Sequence, residues 1–147
     1  MLKKQTTKFK IIFFFLLLIH YFYPLLIKDF IKIIDVGQGD SILLYSKGKS
    51  ALIDTGGKIN YDKNYISKTV TKYTTIPLLK SLGIKKLDYV LLTHGDLDHM
   101  GEIFYLKDHF SVGKIYINQG SKNNLEKKLI KTEEVDICLL YTSDAAD

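Results

Sequence analysis

Charge-free and alternating stretches divide the chain into two unlike parts. Residues 11–27 (IIFFFLLLIHYFYPLLI) carry no charge over 17 positions, and as a helix such a run spans about 26 Å, near the lower limit for crossing a bilayer. Beyond Lys28 the apolar runs shorten to strand length and are separated by glycine-bearing turns. Phe30–Val36 reads as a strand, Gly37-Gln38-Gly39-Asp40 as a turn, and Ser41–Tyr45 as the returning strand. Lys47-Gly48-Lys49 then makes a hairpin turn into the strand Ser50–Asp54, which ends sharply at Thr55-Gly56-Gly57. Three strands in such close succession predict an antiparallel meander.

After the meander the pattern changes. Lys58–Tyr73 is polar and aperiodic, which predicts a long loop. Thr74–Leu82 predicts a helix, with Thr75 as cap, Pro77 in the first turn and Gly83 as the stop. Leu87–Thr93 reads as a buried strand, Met100–Phe110 as a helix and Lys114–Ile117 as a short strand. Asn123–Lys131 reads as a helix capped by Asn123 or Asn124. Hairpins followed by alternating helix and strand predict an α/β (α+β) domain with helices packed against sheet. A chain of 147 residues has room for one such domain.

Charge sharpens the reading of the first part. Lys3, Lys4, Lys8 and Lys10 make residues 1–10 a basic tail without an acid. The positive-inside bias then predicts a cytoplasmic tail, a transmembrane helix over 11–27 and a remainder on the outer side of the cell membrane. Tyr21 and Tyr23 suit the far interface, where His20 also reads as interfacial. A cleaved signal peptide competes with this reading. It calls for a shorter apolar core and a small-x-small cleavage site, and none occurs between Tyr23 and Lys32. Of the net charge of +5, the tail carries +4, since 17 lysines face 16 acids after residue 27. The charge therefore makes no nucleic-acid footprint. The single Cys138 excludes an internal disulfide and a cysteine pair for zinc.

The densest chemistry lies in His94-Gly95-Asp96-Leu97-Asp98-His99. Two imidazoles and two carboxylates share one strand-to-helix loop, where they can converge on a point. Such a set is what a divalent metal site needs when further ligands arrive from elsewhere. Capping of the following helix would account for one of these residues and not for four.

Three strings occur in order: Ile34-Asp35-Val36-Gly37-Gln38-Gly39-Asp40-Ser41, Leu52-Ile53-Asp54-Thr55-Gly56-Gly57, and Thr93-His94-Gly95-Asp96-Leu97-Asp98-His99-Met100-Gly101. Together they resemble the metallo-β-lactamase superfamily, and most closely the extracytoplasmic hydrolase domain of ComEC-type DNA-uptake (competence) proteins. The resemblance runs from about residue 30 to residue 130. It implies the N-terminal half of a metallo-β-lactamase-type αββα sandwich over 30–137, preceded by one transmembrane helix. Residues 138–147 read as a tail foreign to the domain.

In the superfamily's usual loop, His-x-His-x-Asp-His, Asp96 stands at the second His, as it does in the ComEC-like branch. The resemblance implies that His94 and Asp96 bind a first metal and Asp98 and His99 a second, with Asp98 also orienting the nucleophile. It implies one or two divalent metal ions, zinc or manganese, and the carboxylate at Asp96 makes manganese more competitive. Asp54 looks like the acid that supports the loop from beneath, or else a turn-forming residue before Gly-Gly. Asp40 reads equally as a supporting acid or a simple turn residue. His109 reads as a helix-end histidine.

The implied activity is metal-dependent hydrolysis of DNA outside the membrane, beside other components of a DNA-uptake machine. The residues alone leave open a membrane-anchored hydrolase of a small ester, thioester or lactam. A non-catalytic accessory domain of an uptake channel also stays open. Members of the superfamily complete their metal sites with residues further downstream, which are expected to lie outside these 147 residues. The chain alone is then expected to fold poorly and to hold metal weakly.

Overall fold

The computed structural model describes residues 2–26, 28–58, 68–132 and 134–138. After a first helix, α1 (Leu2–Leu26), the chain builds one six-stranded sheet whose strands lie side by side in sequence order. They are β1 (Phe30–Ile33), β2 (Ile42–Ser46), β3 (Lys49–Ile53), β4 (Lys86–Leu92), β5 (Ser111–Asn118) and β6 (Val135–Cys138). The first three form the antiparallel meander, and β3 to β6 run parallel. Between β2 and β3 the turn is two residues long. Lys47 (φ 49°) and Gly48 (φ 77°) both take the left-handed conformation that lets a tight hairpin follow the strand twist.

Each parallel connection carries helix. A π-helical turn (Thr71–Thr75) running into α2 (Ile76–Ser81) joins β3 to β4. The pair α3 (Leu97–Met100) and α4 (Ile103–His109) joins β4 to β5, and α5 (Asn124–Thr132) joins β5 to β6. Crossovers of one hand stepping the same way across a sheet lay their helices on one face. That face holds the core. Leu43, Leu52, Val90 and Ile115 make one register row, and they are buried with Leu79 of α2, Ile103 and Leu106 of α4 and Leu129 of α5.

The opposite face is apolar and open. Ile33, Ile42, Ile53, Leu91 and Tyr116 form a register row across five strands, and all five are only half-buried or exposed. Ile31 and Ile33 are 76 % and 78 % exposed. One face of the sheet is thus covered by helices, and the other presents a continuous apolar surface.

Several sequence-based expectations need correction. The helix expected over 100–110 is two helices broken at Gly101-Glu102. Glu102 leaves helical geometry there (φ −106°, ψ 8°), while its carboxylate accepts the Val70 and Thr71 amides. Thr75 does not cap: it is itself helical where the π-helical turn runs on into α2, and it makes no capping hydrogen bond. The polar stretch 58–73 turns helical from residue 69, and its residues 59–67 lie outside the described ones. Strand β6 was not expected. Cys138 is its last residue, in register with Asn118, so it belongs to the sheet rather than to the tail. Residues 139–147 lie outside the described residues.

Helix α1 contains residues 11–26 of the charge-free run, and its apolar side chains from Phe9 to Phe22 are almost uniformly exposed. The side chains of 23–27, which complete the expected span, lie outside the described residues. Among the described residues no helix is long and apolar enough to cross a membrane. The transmembrane helix expected over 11–27 is therefore not shown by the fold.

Candidate metal centre

Strand β4 ends at Leu92, and the chain then runs through Thr93 into the loop that carries His94, Asp96, Asp98 and His99. The neighbouring strand β3 ends one residue before Asp54, which sits directly beneath that loop. Asp54 is 1 % exposed and adopts φ 55°, left-handed geometry that Asp tolerates better than most residues. Its amide donates to Leu91 O at 2.8 Å and its carbonyl accepts the Ser41 hydroxyl at 3.0 Å. The backbone turn is thereby held, and the carboxylate is left free to face the loop.

That carboxylate organises both imidazoles. Oδ1 accepts the Thr93 amide at 2.8 Å, and Oδ2 accepts the Thr93 hydroxyl at 2.6 Å. Oδ2 also lies 3.0 Å from His99 Nδ1. An ionised carboxylate only accepts, so His99 carries its proton on Nδ1 and presents a lone pair at Nε2. The Thr93 hydroxyl has one proton, and it is given to Asp54. At 2.9 Å from His94 Nδ1 it must therefore accept, which places the proton of His94 on Nδ1 as well. One buried carboxylate thus sets the tautomer of both histidines and turns both Nε2 atoms outward, as a partner behind a metal-binding imidazole does.

The outward nitrogens each meet a carboxylate of the same loop. His94 Nε2 lies 3.5 Å from Asp96 Oδ2, and His99 Nε2 lies 3.9 Å from Asp98 Oδ2. The two rings stand close together, with centroids 3.8 Å apart. A lone pair and a carboxylate oxygen are both acceptors, so each pairing is favourable only with a cation between them, a proton or a metal ion. Asp96 is 70 % exposed at its side chain and makes no capping hydrogen bond, although it stands at the cap position of α3. Its carboxylate is not spent on the helix.

This donor set suits a divalent ion with mixed nitrogen and oxygen ligands. It forms two imidazole–carboxylate pairs rather than a closed cage. Among the described residues, no group of three or more His, Cys, Asp or Glu side chains is gathered closely enough to hold a metal ion.

The other two strings support the loop through backbone contact. A Cβ on Gly39 (φ 76°) would lie 1.9 Å from Asp98 O, and one on Gly57 would lie 2.1 Å from Leu97 O. Only glycine lets these turns come so close to the loop. Thr55 donates its amide to His99 O at 2.7 Å and so ties the loop's end to the β3 turn. From the far side, the Asn123 side-chain amide donates to Gly95 O. Asn123 Oδ1 meanwhile caps α5 by accepting the Leu125 and Glu126 amides.

Of the residues expected from the sequence, His94, Asp96, Asp98, His99 and Asp54 come together. Asp40 does not. It is exposed, engages none of the described groups, and leaves contact with the loop to Gly39. His109 stacks on Tyr105 at 3.9 Å and bonds its carbonyl, at the end of a helix as expected. Thr93 stood in the third string without a role of its own, and its hydroxyl proves to link Asp54 to His94. Glu102 carried no local signal, because its partners are more than 30 positions away in sequence.

Comparison with known proteins agrees with this geometry. The family model described as the metallo-beta-lactamase superfamily matches residues 34–134. The chain is 34 % identical over 130 residues to ComE operon protein 3 of Bacillus subtilis (strain 168). That alignment covers 81 % of this chain and 17 % of the relative, so the chain spans about a sixth of that protein's length. The ComEC-type resemblance carried by the three strings is thereby borne out. With a mixed α/β fold, the matched model and a His-Asp loop seated on a buried aspartate, the chain belongs to the metallo-beta-lactamase superfamily.

Proposed function

We propose that this chain supplies the metal loop of a membrane-associated, metal-dependent phosphodiesterase that cuts DNA during competence-linked uptake. The observation that carries the reading is the Asp54 carboxylate, which leaves both Nε2 atoms facing carboxylates through its bonds to His99 and, by way of Thr93, to His94. The name of the relative supports the link to competence. Zinc or manganese bound at the two pairs would supply Lewis acidity and an activated water at neutral pH. His94 and Asp96 would hold one ion and Asp98 and His99 the other. Asp98, half-buried in the loop, would also orient the attacking water. Asp54 keeps both imidazoles in the binding tautomer throughout and touches no substrate.

The proposed location is the cell membrane, with the sheet on the outer side and the Lys-rich tail inside. A helix apolar on every face needs a covering that surrounds it, and lipid is such a covering. Helix α1 has this character over residues 11–22, where His20 is the one strongly polar side chain.

The test is hydrolysis by the intact protein that carries this chain, loaded with manganese, of single-stranded DNA and of a small aryl ester. DNA cleavage that falls by about 100-fold or more in His94→Ala and Asp98→Asn is expected for ligands to a catalytic ion. Metal-loaded protein that cleaves the ester and not DNA would make it a small-molecule hydrolase. One observation favours a second reading, a non-catalytic accessory domain: no three donors converge among the described residues. Absence of bound metal from the intact protein would establish that reading in place of the first.

A further inference from the structure

Beside the metal loop lies a cavity of about 400 Å³. One wall is His94, Gly95 and Asp96, and the other is the segment from Gly120 to Asn123 that leads into α5. Lys122 belongs to this second wall. Its Nζ is shut off from water and has no hydrogen-bond partner among the described residues.

Neither polar neighbour on its own wall of the cavity, Asn123 or Glu126, bonds it. Glu126, 4 % exposed, accepts the Asn123 amide at 2.8 Å, and the Asn123 side chain is divided between capping α5 and holding Gly95. A buried ammonium without a partner has given up its hydration for nothing in return. Other lysines of the sheet show the ordinary alternative, Lys49 with Asp88 and Lys114 with Asp136, both at the surface. Lys122 has kept neither water nor a carboxylate, and it stands across a cavity from the loop proposed to hold metal.

The geometry points to Lys122 as a substrate-binding residue whose ammonium takes a phosphate oxygen of a phosphodiester lying in this cavity. The inference deepens the function proposed above and rests on it for the position of the scissile bond. A flexible four-carbon stem lets Nζ swing from the wall into the cavity, and an ammonium is a point charge suited to a phosphate oxygen. A neutral ester offers no anion to this group, so Lys122 discriminates between the two substrate classes. Because its own burial is uncompensated, removing the charge is expected to leave the fold intact or firmer.

The experiment compares wild type, Lys122→Gln and Lys122→Arg of the intact protein in three readouts. The first is binding of a short single-stranded oligonucleotide in the presence of a chelator, which needs neither metal nor turnover. Lys122→Gln is expected to weaken it by about 10-fold, with Lys122→Arg recovering much of the loss, as a charge-assisted contact predicts. The second is kcat/KM on single-stranded DNA and on a small aryl ester with manganese. It is expected to fall by about 10- to 100-fold on DNA and by less than about 3-fold on the ester. The third is the melting temperature, expected to be unchanged or raised in Lys122→Gln. Equal oligonucleotide affinity in wild type and Lys122→Gln overturns the proposal, and so does a lowered melting temperature with both substrates lost alike. A Lys122-dependent oligonucleotide affinity in a protein that cleaves nothing keeps the proposal and overturns the hydrolase reading instead.

Discussion

At the scale of single residues, Asp54 is where sequence, strain and chemistry meet. Asn shares its tolerance of left-handed backbone, so Asp54→Asn keeps the turn at φ 55° and isolates the loss of the acceptor. The one oxygen that remains can replace Oδ2 or Oδ1 but not both, so the new NH2 faces either the Thr93 amide or the Thr93 hydroxyl and the His99 Nδ1–H, donor against donor. The expected outcome is a 10- to 100-fold loss of manganese or zinc affinity, the usual penalty for losing a partner behind a metal ligand. Calorimetric titration measures it, and affinity equal to wild type would contradict the arrangement. Thr93→Val is the companion variant. It keeps the shape, removes the relay to His94 and leaves His99 tied to Asp54. It should weaken one imidazole–carboxylate pair and spare the other, while Thr93→Ser should behave as wild type.

At the scale of elements, Glu102 fastens the helix that precedes β4. It is fully buried, and its two oxygens accept the Val70 and Thr71 amides at the start of the π-helical turn. Its own amide lies 3.3 Å from Thr55 Oγ1, so the same residue also reaches the β3 turn. Glu102→Ala would strand two buried donors, and hydrogen bonds to a charged group contribute about 1.5–3 kcal/mol each. Urea unfolding should therefore show a loss of about 3 kcal/mol or more, and the amides of Val70 and Thr71 should exchange early. A loss below about 1 kcal/mol would mean that the helix is held by its apolar face alone.

The same scale shows what local pattern conveyed and what it did not. Alternation and glycine turns located five of the six strands, and Asn123 was legible as a cap because capping is a contact three residues long. Strand β6 was not legible, since Val135–Cys138 is four residues against a charged run and gains its identity only from pairing with β5. The break at Gly101-Glu102 escaped for a similar reason. Nothing within ten residues of Glu102 reveals that its carboxylate is needed at Val70. Four clustered ligand-type residues advertised the metal loop, whereas the cavity beside it is built from two segments more than 20 positions apart.

Between β3 and β4 a pH dependence is expected. Partial burial pushes the Asp88 carboxyl up, but the Lys49 ammonium and the Ser50 amide outweigh it and hold the group below its ordinary value of 3.8. A depressed carboxylate stabilises the fold above that value, and the contribution is lost as pH falls through the lower folded one. Lys49 is largely exposed, so the effect is held to under about 1 kcal/mol. Asp88→Asn should match wild type near pH 2 and be slightly less stable at pH 7, as measured by urea unfolding at both. A difference of the same size at both pH values would assign the effect to packing.

At the scale of the whole molecule, the described residues cover the sheet with helices on one face only. The row Ile33, Ile42, Ile53, Leu91 and Tyr116 and the exposed Ile31 form a broad apolar surface opposite the helices. Surfaces of this kind in a folded protein mark a place where something else packs, or a route to self-association. Strand β1 lies at the sheet edge beside that surface, and an unpaired edge offers a template for further strands. The 147-residue chain in detergent, where α1 is already covered, should therefore self-associate through the open face and bind a dye that reports exposed apolar surface. Ile31→Lys with Ile33→Lys places two charges on that face at positions with no buried role. The double variant should sediment as a smaller species with lower dye emission and an unchanged melting temperature. Equal sedimentation of the two proteins would locate the association in α1 instead, and a lowered melting temperature would mean that both isoleucines already pack against something within this chain.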